Sequence, residues 1–208
     1  MSSKNSTLTK LRENEREIRK DLIIDAAIRL FAAKPFDRVG MRDIASEAGL
    51  SPASIYRYFS NRDELFVEAL CRESKIIEQE IRRAKDSESE ASIEKIASTF
   101  VDYLIEHDTF FKMMTYFMIT GRIAEDTLEK FNETERKLLD VFDDIFENLG
   151  AKGPVRLTSH AFFATLNGIL ITFHNYPGRS SEDTRKHMHR LVDIVSRAFK
   201  DTSAAITR

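Results

Sequence analysis

Hydrophobic residues recur at intervals of three and four positions along most of the chain, which is the period of an amphipathic α-helix. The first such stripe predicts a helix from about residue 16 to residue 34, which Pro35 ends. It consists of Ile18, Leu22, Ile23, Ala26, Ala27, Leu30 and Phe31. With only seven Gly, four Pro and no sustained alternation of Val, Ile and Thr, the chain is predicted to be all-α.

Residues 40 to 66 carry the most specific pattern, because they predict two short helices joined by a glycine turn. In the first helix, the apolar residues of the segment 41 to 48 lie three and four apart and form one face. Gly49 suits the left-handed conformation that often follows a helix C-terminus. Ser51 is a good N-cap for the second helix, and Pro52 is a good first residue. This is the layout of a helix-turn-helix.

The second helix of this pair is predicted to read DNA. Ile55 and Phe59 lie four apart and must face the core, so Ala53, Ser54 and Arg57 face away from it, with Tyr56 and Tyr58 at the edge. Arg57 and Ser54 share that outward face, and an Arg side chain can donate two hydrogen bonds to guanine. Arg62 combines a cation with the free N–H groups of the next helix N-terminus, which favours a phosphate. The residues predicted to contact DNA are Arg42, Ser51, Pro52, Ala53, Ser54, Tyr56, Arg57, Tyr58 and Arg62.

The segment resembles the N-terminal domain of the TetR family of bacterial transcriptional regulators, through the string LIIDAAIRLFAAKPFDRVGMRDIASEAGLSPASIYRYFSNRDELF. Two departures are visible: Gly40 and Met41 replace the usual Thr or Ser cap, and Pro52 and Ala53 replace more polar residues. The resemblance implies an N-terminal three-helix domain with a helix-turn-helix. A long helix would join it to a C-terminal helical domain that binds a ligand and dimerises.

The remaining pattern predicts three parts: a flexible N-terminal arm over 1–15, a DNA-binding domain over 16–62, and a ligand-binding and dimerisation domain over 63–208. The polar, acidic stretch 86–92 is the clearest break, and Gly121 marks a second one. Helices are expected at about 62–85, 91–106, 109–120, 124–149, 154–176 and 181–202.

The last two helices are predicted to form the dimer seam. Residues 154–176 are apolar nearly all round, so protein should cover this helix on all sides. A glycine in its middle is best explained by the close approach of another helix. In the TetR family the corresponding helices form a four-helix bundle with those of the second subunit. The predicted interface residues are Gly168, Leu191, Val195, Ala198 and Phe199.

The C-terminal body is rich in Phe and Met, with a few polar groups on its most apolar helix. Such a mixture is typical of a pocket for an apolar or amphipathic ligand, although for any one of these residues core packing is expected more often than ligand contact. No Lys or Arg lies between His160 and His174, which disfavours a strongly anionic ligand. The predicted ligand contacts are Tyr103, Met114, Phe117, Phe142, Phe163, Asn167 and His174.

Composition excludes several other classes of protein. No catalytic or nucleotide-binding motif is present, and the histidines form no chelating pair, so we expect neither an enzyme nor a metal or other cofactor. No apolar run is long enough to cross a membrane, and we expect a cytoplasmic protein. Net charge is −2, but residues 1–62 hold 12 Lys and Arg against 8 Asp and Glu. Cys71, the one cysteine, is expected to be packing material rather than a redox sensor.

These patterns predict a ligand-responsive transcriptional regulator. It would bind a palindromic double-stranded DNA operator as a homodimer, act as a repressor, and be released by a small apolar or amphipathic effector. The alternative is an all-helical carrier of hydrophobic small molecules whose helix-turn-helix is only a packing motif. A regulator must bind DNA in a salt-dependent way, whereas a carrier should not bind DNA at physiological salt.

Overall fold

A computed structural model describes residues 2–86, 92–120 and 125–205, which form helices and contain no strand. Residues 87–91 of the predicted break and Gly121 lie outside this part of the chain. The predicted boundaries after residue 62 agree with the observed ones to within a few residues. The helices are α1 (Ser2–Ala33), α2 (Met41–Glu47), α3 (Pro52–Ile55), α4 (Arg62–Asp86), α5 (Ile93–Glu106), α6 (Asp108–Thr120), α7 (Glu125–Asn148), α8 (Val155–Phe173) and α9 (Ser181–Ala205), with a 3₁₀ helix at Phe36–Arg38.

The N-terminal head is built around the C-terminal half of α1. Its buried stripe, which includes Ile23 and Ala27, packs against Ile44 of α2 and Ile55 of α3, and all four side chains are fully buried. Phe59 closes the same core at the end of the helix-turn-helix. The predicted core-facing positions from Ile23 onward are therefore confirmed, whereas Ile18 and Leu22 of the predicted stripe are 53% and 54% exposed.

The N-terminal half of α1 differs from the prediction of a flexible arm. The helix begins at Ser2 rather than near residue 16, and the described side chains from residue 8 to residue 19 are exposed. This stretch is rich in Leu, Lys, Arg and Glu, which are good helix formers. An ion pair between Arg19 and Glu15 at 2.7 Å, one turn apart, adds local support. The sequence analysis missed this extension because it lacks a buried apolar face.

Helix α4 joins the head to the body. Asn61 caps its N-terminus, since its side-chain oxygen accepts a 2.8 Å hydrogen bond from the N–H of Glu64. Arg72 of α4 donates to Asp25 of α1 at 2.6 Å and thereby ties the head to the middle of α4. Further along, Ile77 and Ile81 are fully buried in the body. One rigid helix thus contributes to both cores.

The body is a bundle in which α7 packs along α4 and α8, while α5 packs against α4 and α9. Its core is aromatic: Phe100, Phe142, Phe146 and Phe162 are fully buried and meet mostly edge to face. Cys71 of α4 is buried against α7, where its sulfur lies 3.1 Å from the Thr134 hydroxyl. This burial raises the pKa of the thiol. A protonated, inaccessible thiol fits a packing role. Among the described residues, no helix is both long and apolar enough to cross a membrane.

Candidate DNA-binding and effector-binding sites

The turn of the helix-turn-helix depends on one glycine and one serine. Gly49 has φ of +69°, the left-handed region in which a side chain would be strained. The N–H of Leu50 then returns to the carbonyl of Ala45 at 2.8 Å and closes α2. The Ser51 hydroxyl accepts from the N–H of Ser54 at 3.2 Å and starts α3. These contacts fix the angle between the two helices, and hence the direction in which α3 projects.

The exposed face of α3 carries small side chains at its start and a cationic side chain at its end. Pro52 and Ala53 are exposed at its start, and Arg57 is exposed just after its last regular turn. The Ser54 hydroxyl is half-buried and shares a 2.8 Å hydrogen bond with the Ser51 hydroxyl, so it would have to exchange that bond to reach a base. Tyr56 is 53% exposed beside them. The residues predicted to read DNA are thereby brought to one surface.

Helix α2 supplies one further predicted contact. Arg42 lies exposed in its first turn. Gly40 has no side chain that could accept from the first N–H groups of α2, and only the reciprocal bond is present, in which the Asp43 side chain accepts from the N–H of Gly40 at 2.9 Å. The departure at Gly40 therefore leaves α2 without a side-chain N-cap.

Arg62 is engaged differently from the prediction. Its guanidinium lies 3.4 to 3.5 Å from the carbonyl oxygens of Phe36, Asp37 and Val39, and its Cζ atom lies 4.5 Å from the centroid of the Phe36 ring. The side chain thus closes the 3₁₀ helix between α1 and α2 and is not the free cation that the sequence suggested. Contact between Arg62 and a phosphate stays a prediction, and it would have to share the guanidinium with these carbonyls.

Sequence analysis missed a basic groove beside α3. Arg12, Arg16 and Arg19 of α1 line it together with Glu15, Arg57 and Tyr58. Its volume is about 430 Å³. The hydrogen bond and the charge of Glu15 raise the pKa of Arg19, and Tyr58 adds a smaller effect in the same direction. The spacing of the three α1 arginines, at i, i+4 and i+7, was the signal that could have revealed this groove.

Two of the predicted effector contacts carry buried polar atoms without a partner among the described residues. These are the Tyr103 hydroxyl on α5 and the side-chain oxygen of Asn167 on α8. The Asn167 amide nitrogen is satisfied, because it donates to the Phe163 carbonyl at 2.8 Å. Burial raises the pKa of the Tyr103 hydroxyl, so it remains protonated and can donate as well as accept.

The two polar atoms have different surroundings: the Tyr103 ring stacks on His107 at 3.9 Å and shares a surface groove with Glu80 of α4, whereas Asn167 bonds within α8. The rings of Phe100 and Phe163 lie 5.6 Å apart, and those of Phe111 and His174 lie 4.7 Å apart. The first contact joins α5 to α8, and the second joins α6 to the end of α8. Phe142 packs on Phe163, and Met114 is also buried in the body. The aromatic part of the predicted site thus lies in one interior region, and a ligand shared by Tyr103 and Asn167 stays a prediction.

Two other predicted ligand contacts, His174 and Phe117, already interact with protein groups elsewhere in the body. The His174 imidazole forms a 2.7 Å hydrogen bond with Asp108, which links α8 to the start of α6. Burial raises the pKa of Asp108, but hydrogen bonds from Lys112 and His174 more than offset this, and the net pKa is lowered. The Phe117 ring lies 4.0 Å from that of Phe131 on α7. Both side chains already have protein partners, so their contact with a ligand stays a prediction.

The predicted dimer residues divide into two groups. Gly168 is exposed on α8, and a Cβ atom added there would meet nothing within 4 Å in its own chain. Leu191 and Val195 are half-buried on α9 beside the exposed Ala198. Phe199 lies inward instead, with its ring 5.0 Å from that of Phe162. Phe199 therefore supports the core of its own subunit.

Large apolar side chains extend this outer face. Leu157 and Ile171 of α8 are 64% and 51% exposed, and Ile194 of α9 is 63% exposed. The sequence predicted that α8 would be covered on all sides, but its own chain covers only one face. The outer face is thus an apolar surface with a glycine near its centre.

Comparison with known proteins agrees with the head and the overall fold. Residues 23–69 match the family described as bacterial regulatory proteins, tetR family. An HTH-type transcriptional regulator from Haemophilus influenzae is 30% identical over 148 residues, which is 68% of each chain. Another, from Mycobacterium tuberculosis, is 42% identical over 65 residues, which is 31% of this chain and 32% of that protein.

Solved structures extend the similarity to the whole fold. A TetR-family regulator from Mesorhizobium loti has a TM-score of 0.68 at 20% identity, and covers 90% of this chain and 97% of its own. The fatty acid degradation regulator FadR from Bacillus halodurans has a TM-score of 0.65 at 20% identity, with 86% and 97% covered. Together with the helix-turn-helix geometry, these findings show that the chain belongs to the TetR family of DNA-binding transcriptional regulators.

Proposed function

We propose that this protein is an effector-responsive repressor that binds a palindromic operator as a homodimer. Each subunit would place residues Pro52 to Tyr58 in a major groove, with Arg57 contacting base edges and neighbouring side chains contacting phosphates. The support is the exposed, small and cationic face of α3, which the turn at Gly49 and Ser51 holds at a fixed angle.

We propose the outer face of α8 and α9 as the dimer interface. Gly168 lets a helix approach closely, and Leu157, Ile171 and Ile194 would lose their exposed apolar surface on pairing. A two-fold interface would present two reading heads to half-sites about 34 Å apart along DNA, and such symmetry in the protein requires a palindromic operator.

The observation that carries the effector response is the pair of buried, unpartnered polar atoms on Tyr103 and Asn167. A buried polar group without a hydrogen bond costs about 1–3 kcal/mol, so a ligand that satisfies both would gain affinity and specificity. The surrounding rings would supply apolar contact. The proposed effector is therefore small and mostly apolar, with a polar end that can hydrogen bond to a hydroxyl and an amide oxygen.

The signal would pass to the head through α6. Tyr116 of α6 lies 4.6 Å from Phe36 and 6.0 Å from Phe66, measured between ring centroids. Phe36 in turn packs on Phe31 of α1, and Arg62 covers it. A shift of α6 on ligand binding would therefore move the end of α1 and the start of α4 together. The two reading heads would then no longer match successive major grooves.

The test begins with DNA from the regions that flank this gene, since such regulators often act on neighbours. Labelled fragments are titrated with the protein, and a thermal-shift screen then searches for effectors among apolar and amphipathic compounds, including fatty acids. A ligand at about 100 times its Kd should stabilise the protein by about 2.7 kcal/mol. The same compound should release the bound fragment. A compound that stabilises the protein but leaves DNA binding unchanged would contradict the effector response.

The carrier hypothesis predicts the opposite behaviour in the DNA arm of this test. A carrier should show no DNA affinity at physiological salt, whereas a regulator should lose affinity steeply as salt rises.

A further inference from the structure

We propose that the N-terminal half of α1 is part of the DNA-binding surface and contacts the phosphate backbone through Arg12 and Arg16. This inference rests on the proposed docking of α3 in the major groove and extends it to an element outside the helix-turn-helix. The groove that α1 forms with the end of α3 contains four arginines and one glutamate. Its charge complements a phosphate backbone.

Arg12 and Arg16 are the arginines of α1 available for this contact. Arg19 is held by Glu15 at 2.7 Å. Within the described part of the chain, neither Arg12 nor Arg16 forms an ion pair, and both are exposed. They lie one helical turn apart, about 6 Å along the axis, on the same face of α1. Two unneutralised cations are thus spaced along one edge of the reading head.

The groove adjoins α3, and this position identifies the DNA phosphate backbone as its ligand. Arg57 and Tyr58, which follow α3 directly, line the same groove as Arg12 and Arg16. A duplex that receives Arg57 in its major groove must bring a phosphate strand past this groove. The exposed helix of α1 extends about 12 Å beyond Arg16 to Leu8, at 1.5 Å per residue. Side chains on that helix would meet the backbone without reading sequence.

The experiment measures the salt dependence of binding to a labelled duplex of mixed sequence, so no operator needs to be known. Arg12→Ala and Arg16→Ala are made singly and together. Ala keeps the helix, because it has the highest helix propensity, and circular dichroism checks this. Lys10→Ala is the matched control: it removes one charge from the same stretch of α1, but Lys10 points to nearly the opposite side from Arg12.

Each arginine variant should lower the steepness of log Kd against log salt by about 1, with the double variant lower by about 2, and Lys10→Ala should leave it unchanged. The affinity losses should be the same on any duplex sequence. Unchanged slopes in both arginine variants would overturn the proposal. An equal effect of Lys10→Ala would also overturn it. In either case, salt-dependent binding by the wild type would still support the proposed regulator. If the wild type bound no DNA, the proposed function itself would fail.

Discussion

Arg57 and Tyr58 are neighbours in sequence but have different surroundings. Arg57 is exposed after the last turn of α3, whereas Tyr58 is half-buried and interacts with Arg19 of α1. A contact to a base requires an exposed side chain, as Arg57 has. A side chain that is packed against α1, as that of Tyr58 is, can instead hold the two helices in position. We therefore assign base recognition to Arg57 and positioning of the α1–α3 groove to Tyr58.

Arg57→Ala should weaken binding to the operator by about 1–3 kcal/mol and change binding to random DNA little, because a lost base contact removes sequence discrimination. Anisotropy titrations on both duplexes measure the two losses. Arg83→Ala is the control, since it removes an arginine that is ion-paired to Glu80 far along α4. Equal losses on both duplexes would make Arg57 a phosphate contact.

Tyr103→Phe should have opposite effects on stability and on effector binding. Removing the unpartnered hydroxyl should leave the free protein as stable as the wild type or more so, because a buried hydroxyl without a partner is unfavourable. Effector affinity should fall by about 1–3 kcal/mol if the ligand bonds to that hydroxyl. Thermal unfolding with and without effector measures both quantities.

Tyr176→Phe provides the matched control, because Tyr176 is 43% exposed and lies beyond the end of α8 beside Phe173 and Arg179. An effector whose affinity is the same for wild type and Tyr103→Phe would not bind at the proposed site.

Sequence reasoning located side chains on faces but could not see their partners. The periodicity correctly placed Ile55 and Phe59 in the core. The same reasoning assigned Arg62 to a DNA contact. It could not identify the carbonyl oxygens that hold this guanidinium, because they lie more than twenty residues away in sequence. His174 is a similar case, since Asp108 lies 66 residues earlier. Polar pairs between residues far apart in sequence do not affect the local spacing of apolar residues, so that spacing cannot predict them.

Among the helices, prediction succeeded where an apolar face was present. Helices α4 and α9 have such faces, and their starts were predicted to the residue. The N-terminal half of α1 shows no buried side chain among those described, and it was therefore taken for a frayed arm. Helix α8 was recognised as apolar all round, but only the structure shows which face its own subunit leaves uncovered.

That uncovered face gives a test of the dimer. Ile194→Arg should convert the dimer to monomers, because it would place an unpaired charge in an apolar interface. Ile194 is a better choice than Val195, which is half-buried against the core of its own subunit and whose loss could unfold the monomer. Sedimentation equilibrium measures the oligomeric state, and circular dichroism confirms folding.

Ile119→Arg is the control for that experiment, since Ile119 is 75% exposed on α6. If Ile194→Arg remains dimeric, or if Ile119→Arg dissociates equally, the seam lies elsewhere.

Across the whole molecule, head and body are connected by few contacts. Helix α4 belongs to both, Arg72 ties it to Asp25 of α1, and the rings of Phe36, Phe66 and Tyr116 join α6 to the head. A signal from the body must pass through these contacts to reach α3.

Tyr116→Leu should uncouple the two sites while leaving each one intact. Operator affinity and effector affinity should stay near the wild-type values when measured separately. The effector should lose most of its power to weaken DNA binding, a coupling that is typically about 1–3 kcal/mol. Titrations of DNA with and without effector give this coupling. Undiminished coupling in the variant would show that the signal takes another route, for instance through α4 alone.

Selection of bound duplexes from a random-sequence library at physiological salt shows whether the protein reads a two-fold symmetric operator. We predict that the wild type enriches an inverted repeat whose half-sites lie about one or more helical turns apart, as a two-fold dimer requires. Arg57→Ala should lose the enrichment at particular positions within each half-site. Failure of the wild type to enrich any sequence, or enrichment of one without two-fold symmetry, would contradict the account of a homodimer that reads a palindromic operator.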